Sequence, residues 1–337
     1  MIPEQSSTSN ISGGESSPAV SSSLAHYLGG SDSYDPQKLI VHTQPRFDDM
    51  GWLIRQMAQV CLPLRNPGKG KTEWIRENGS VTLRITAGFQ NNPQTGKRER
   101  ILPYGKFARA GLLYMMTEAH RTGEPRIEFG NSNREFMDKL GLEWGGKSGR
   151  LLCQQMNALI GCQMELFDAN FKKIIVDGEE KSISFSRNAN FQFSNYSELW
   201  TCVSDDPDQL QIFDSYVVLS DGFMTMLKHS LPVDLRAWKW LNQNCKSAMP
   251  LDVYLWVAER AWRAKSGGDF VSWEQLMVQF GSQGRKSKFI KIFLNALHYV
   301  QQIYPQLIIK VVKEGVIVYH SPAAVHPGAN ARALRSY

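Results

Sequence analysis

Apolar residues near the C-terminal end of the chain recur at steps of three and four. Phe289, Ile292, Phe293, Ala296, Leu297, Val300 and Ile303 therefore share one face of a helix. Lys288, Lys291, Asn295, His298 and Gln302 recur on the opposite face. Pro305 ends the run, and residues 307–312 and 316–319 read as two strands joined across Lys313-Glu314-Gly315. A basic cluster, Gly284-Arg285-Lys286-Ser287-Lys288, opens the helix. An apolar face backed by a cationic, amide-bearing face and followed by a hairpin is the pattern of a DNA-recognition helix and its wing.

The elements before it complete a unit. Pro250 starts a helix to about Lys265, with Leu251, Tyr254, Leu255, Ala258, Ala261 and Trp262 on its apolar side. Asp269-Phe270-Val271 is a short strand, and Ser272 with Gln275 forms a capping box for a further helix to Phe280. The same order occurs earlier. A helix is expected over 106–121, a strand over 126–129, and a helix capped by Ser132 with Glu135 and stopped by Gly141. A third helix over 149–159 leads to β-like 163–167 and a hairpin at Asp177-Gly178 that returns through 183–185. The expected fold is α+β: two tandem winged helix-turn-helix domains, helix-rich with small antiparallel hairpin wings. Their expected bounds are 37–232 and 233–325. Residues 1–36, rich in Ser and Gly without a period, read as a disordered tail, and 326–337 as a second tail.

Charge sharpens this picture. The chain of 337 residues has a net charge of only +6, unevenly spread. Residues 235–337 carry 14 Lys/Arg against 5 Asp/Glu, and 36–189 carry 23 against 16, while 190–234 carry 1 against 7. Two basic blocks around an acidic segment suit a polyanion held by two modules. No apolar run reaches the roughly 18–20 residues that cross a bilayer, and the first residues have no leader-like pattern. A cytoplasmic setting and no membrane partner are expected. Cys61, Cys153, Cys162, Cys202 and Cys245 are far apart, without CxxC spacing, and read as reduced thiols. The histidines form no ligand pair, so no metal and no other cofactor is expected.

One motif points elsewhere. Gly141-Leu-Glu-Trp-Gly-Gly146-Lys147-Ser148 satisfies GxxxxGK[ST], the phosphate-cradling P-loop pattern. Such a loop must leave a β-strand, yet the preceding Glu135-Phe136-Met137-Asp138-Lys139-Leu140 is helical in pattern. The segment reads better as the turn of a helix-turn-helix, and a P-loop NTPase stays as a lesser alternative. The acidic run Asp205-Asp206-Pro207-Asp208 reads as a solvated loop, and no other catalytic arrangement is present, so the chain is expected not to be an enzyme. The expected DNA contacts are Arg285, Lys286 and Lys288 on phosphates, Lys291 and Asn295 toward base edges, and Lys310 and Lys313 from the wing. In the first unit Lys147, Arg150, Gln154 and Gln155 take the matching places.

These residues resemble a known family, the plasmid-encoded RepA replication initiators. Leu102-Pro103-Tyr104-Gly105-Lys106-Phe107-Ala108-Arg109 and Thr117-Glu118-Ala119-His120-Arg121-Thr122 look like its first helix. Glu135-Phe136, Gly141-Leu142, Gly145-Gly146, Gly149 and Gln155-Met156 look like its helix-turn-helix block. Leu219-Ser220-Asp221-Gly222-Phe223, Leu231-Pro232-Val233-Asp234 and Pro250-Leu251-Asp252-Val253-Tyr254-Leu255-Trp256 look like its C-terminal block. The chain departs from the pattern at Lys147-Ser148, and at Ala158-Leu159 where a basic residue is expected. The resemblance implies a binder of repeated double-stranded origin sites (iterons) that opens the origin and recruits host helicase or initiator proteins. It also implies a monomer–dimer equilibrium and repression of the chain's own promoter. A winged-helix transcriptional repressor with the same DNA chemistry is the alternative.

Overall fold

The structure, a computed structural model, describes residues 36–91, 97–130, 132–176, 179–198 and 215–325. The two expected tails (Pro36 apart), residues 92–96, the expected Asp177-Gly178 turn, the acidic run and Cys202 lie outside these residues. Helix α1, Pro36–His42, precedes strand β1, Met50–Ile54, and the hairpin of β2, Glu73–Asn78, and β3, Val81–Thr86. A smaller hairpin pairs β4, Phe89–Asn91, with β5, Arg98–Arg100.

Helix α2, Gly105–Thr122, follows, closed by Gly123, whose N–H donates to the Ala119 carbonyl. After β6, Arg126–Glu128, come α3, Asn133–Leu140, and α4, Gly146–Ile160. Ser132 accepts the Glu135 N–H as the N-cap of α3. Gly141 ends that helix at a φ of 68°, and a Cβ there would stand 2.8 Å from Lys239. Only glycine fits both the left-handed turn and the close approach of that neighbour.

The first hairpin differs from expectation. The small wing expected over 163–167 and 183–185 is instead β7, Gln163–Val176, paired throughout with β8, Glu179–Gln192. Strand β3 pairs with β7, giving an antiparallel sheet of order β2-β3-β7-β8. Apolar residues alternate along β8 at Ile183, Phe185, Ala189 and Phe191, whereas β7 keeps such a period only at Met164 and Leu166. Met164, Leu166 and Phe191 are buried at the root of the hairpin. Backbone pairing runs the full length of both strands, and a hydrogen-bond ladder by itself leaves no sequence period. Strand β9, Ser194–Glu198, continues from β8 into a second sheet of order β6-β10-β9, with β10 spanning Tyr216–Leu219. Helix α5, Asp221–Leu227, leads to β11, Ser230–Asp234, which pairs with β1 and runs through the expected domain junction.

Beyond it lie α6, Leu235–Asn244, and α7, Met249–Arg263. Strand β12, Asp269–Ser272, then precedes α8, Trp273–Gln279, whose capping box is complete. Helix α9, Lys286–Ile303, buries Phe289, Phe293, Ala296, Leu297, Val300 and Ile303, all on the face the spacing predicts. Strands β13, Ile309–Val312, and β14, Gly315–Val318, form the second hairpin, and β12 adds to its β14 edge. Trp262 departs from its expected burial and is 48% exposed. Its neighbour Ala261, in the same last turn of α7, is fully buried, so the core keeps one side of that turn and leaves the Trp262 ring outside it.

The core is contiguous from Ile40 to Val318 and joins both halves. A buried ion cluster crosses between them. Arg109 on α2 donates from Nε to Asp252 Oδ1 at 2.6 Å and from Nη2 to Oδ2 at 2.8 Å. Its remaining donors meet the carbonyls of Leu62, Pro63 and Gly105. Arg76 on β2 is also buried, 3.9 Å from the same carboxylate. Burial alone would lower the pKa of Arg109, but the charge and hydrogen bonds of Asp252 reverse this and raise it. At Arg76 burial prevails and the pKa is lowered. One carboxylate thus serves two guanidinium groups, and Arg109 takes the larger share.

Candidate nucleic-acid interface

Helix α9 offers the expected stripe to solvent. Arg285 sits at its N-cap, and Arg285, Lys288, Lys291, Asn295 and His298 are exposed. From Arg285 to Asn295 the stripe runs about 15 Å at 1.5 Å per residue. What holds it rigid lies beneath: Phe293 has no exposed surface and packs edge-on against Trp256, Trp273 and Phe280. Phe289 adds a fifth ring at 5.9 Å. A helix so anchored presents its polar side without paying for its own ordering on contact.

Lys286 stands apart from its neighbours. It is exposed, but its ammonium pairs with the Glu274 carboxylate on α8. That contact, chiefly as a hydrogen bond, lowers the pKa of Glu274. Part of the positive charge at the head of α9 is therefore already balanced. Sequence reasoning missed Glu274, because nothing local to either residue signals a pair twelve positions apart.

The structure brings Lys313 toward the same place. The Trp273 indole N–H donates to the Lys313 carbonyl at 3.0 Å, and the Trp273 backbone N–H donates to Glu314 at 3.1 Å. The turn of the second hairpin is thereby tied to the first turn of α8, beside Glu274. Lys313 and Lys310 are both exposed. Lys310 lies back along β13, opposite Ile317 and in a row with Phe270, so it belongs to the outward face of the sheet.

In the first unit Lys147 and Arg150 are exposed on α4, and Gln154 is half-buried. Gln155 is not available to a partner. It is fully buried, and its Oε1 accepts the Tyr104 N–H at 2.7 Å, at the N-cap of α2. It shares the inward side of α4 with Leu152 and Leu159, one turn away in each direction. The glycine-rich motif joins α3 to α4, so Lys147 follows a helix and not the β-strand that a P-loop leaves. Among the described residues no group of three or more His, Cys, Asp or Glu could hold a metal ion, and no helix is long and apolar enough to cross a membrane.

A comparison with curated protein sequences found no match. Among solved structures, one of a selenomethionine form of domains 2 and 3 of RctB is 10% identical, with a TM-score of 0.48, over 79% of this chain and 96% of that one. A second structure of RctB domains 2–3 is 10% identical, with a TM-score of 0.46, over 84% of this chain and all of that one. Both likenesses are too distant to carry function. The family model described as plasmid encoded RepA protein matches residues 102–275, just over half of the chain, and the chain belongs to that family.

Proposed function

We propose that the protein initiates plasmid replication by binding repeated origin sites on double-stranded DNA through two winged-helix units. The first unit would run over 37–232 and the second over 233–325. The observation that carries this reading is the exposed Lys288, Lys291 and Asn295 stripe, fixed by five aromatic rings and flanked by a hairpin. Arg285 and Lys288 would hold phosphates, and Lys291 and Asn295 would face base edges. Lys147 and Arg150 would place the first unit on the duplex backbone, with Gln154 less available. The reading carries no catalytic step: the protein opens the origin with binding energy and recruits host helicase or initiator proteins in the cytoplasm. Family membership supports this assignment, together with a monomer–dimer equilibrium and control of its own promoter.

Lys288→Ala is expected to weaken binding to all duplex sequences and to lower the slope of log affinity against log salt by about one. Lys286→Ala is expected to lower it less, because Glu274 already balances that charge. Unchanged slopes in both would place the DNA elsewhere. The decisive experiment is maintenance: cells supplied with the gene should keep an otherwise inert origin fragment as a plasmid. Tight binding to that fragment without maintenance would favour a repressor instead.

A further inference from the structure

The hairpin of β4 and β5 has two unlike faces. Its register sets Phe89 opposite Arg100, Gln90 opposite Glu99 and Asn91 opposite Arg98. Successive residues of a strand point to opposite sides, so Phe89, Arg98 and Arg100 share one face, and Gln90 and Glu99 share the other. The second face is half-buried against the protein. The first is open: both arginines are exposed, and Phe89 is 63% exposed. The Arg100 guanidinium lies over the Phe89 ring, 4.3 Å from its centre. That contact holds the cation in place without neutralising it. Neither arginine forms an ion pair among the described residues, whereas Arg84 on neighbouring β3 is paired with both Glu73 and Glu165.

The hairpin is also locked to one end of α4. A Cβ on Gly88 would stand 1.8 Å from the Gly161 carbonyl oxygen, so the root of the hairpin meets that helix end backbone to backbone. Gly161 is the C-cap of α4. Positions 147, 150, 154, 157 and 161 step by three and four along one side of α4, leading from exposed Lys147 and Arg150 to the hairpin. That path is about 21 Å long at 1.5 Å per residue. A helix entering the major groove by its N-terminal turns sinks into a groove about 8.5 Å deep. Lying at a slant across the groove, a helix of this length brings its far end out over the flanking phosphate backbone.

We propose that the outward face of this hairpin, Phe89, Arg98 and Arg100, is a further contact with duplex DNA, gripping phosphates beside the groove that α4 enters. This rests on the DNA-binding reading above. Arg98 and Arg100 supply the charge, and Phe89 holds the Arg100 guanidinium in place.

The test is the salt dependence of binding to a mixed-sequence linear duplex, measured for the full chain. The Arg98→Gln, Arg100→Gln double variant should keep its fold, since both side chains are exposed and form no ion pair among the described residues. Its slope of log affinity against log salt should fall by about two, with the ranking of duplex sequences unchanged. Phe89→Ala should produce a smaller fall of the same kind. If the double variant keeps the wild-type slope while Lys288→Ala lowers it, the hairpin contact is wrong and the wider reading stands. If neither variant lowers the slope, both fall together. A fall accompanied by altered sequence ranking would also overturn the proposal, because phosphates carry no base identity.

Discussion

Asp252→Ala is expected to lower the melting temperature by about 10 °C, more than any surface substitution in the protein. The carboxylate is buried and accepts two short hydrogen bonds from Arg109, with Arg76 also within 3.9 Å. Removing it leaves two guanidinium groups in the core with no counter-charge. Breaking a buried pair from one side costs about 3–5 kcal/mol. Each kcal/mol shifts melting by roughly 2–4 °C in a chain of 150–250 residues, and by somewhat less in a longer one. Paired replacement is the internal control: Asp252→Leu with Arg109→Met should melt higher than Asp252→Ala alone, because no unpaired charge remains on α2. Thermal unfolding followed by circular dichroism decides the matter. An Asp252→Ala protein melting within about 2 °C of wild type would mean that the cluster does not tie the halves together.

Phe293→Ala should have a comparable effect by a different route. The side chain is fully buried at the centre of five rings, and a large-to-small change at such a site costs about 3–5 kcal/mol. Four ring contacts vanish with it, and the cavity opens directly beneath the Lys291 and Asn295 stripe. The loss should therefore appear twice, as lower thermal stability and as weaker duplex binding with the charges untouched. Tryptophan fluorescence reports the site, since Trp256 and Trp273 line it. Phe293→Leu refills part of the volume and should recover much of both. Equal damage from leucine and alanine would argue against a packing origin.

Features legible in the sequence share a physical basis in short-range contacts. The Ser272–Gln275 capping box, the Ser132 cap and the Gly141 stop each depend on residues within one helical turn. The buried face of α9 follows from a period set by helix geometry. Gln155 shows where such reasoning fails. An amide beside a polar stripe suggests surface, yet Gln155 is fully buried, with its Oε1 taken by a backbone N–H from 51 residues away. Lys286 lies at the surface, as its place in the basic cluster predicts, but the Glu274 carboxylate that balances its charge comes from a different helix. In the first hairpin, Gln163–Val176 takes a second partner, β3, from about 80 residues earlier, and no local pattern announces that pairing.

Read alone, the chain determined its helices, their caps and the cationic face of α9, because spacing and capping chemistry act within a few residues. Its distributed motifs also pointed to the family that the model match bears out. Tertiary structure alone decided which polar groups are free. It joined Arg109 to Asp252 across 143 positions, enclosed Gln155, paired Lys286, and left Arg98 and Arg100 open beside α4. Whether a charge is spent on a neighbour or offered to a partner depends on what folding brings within a few ångströms of it.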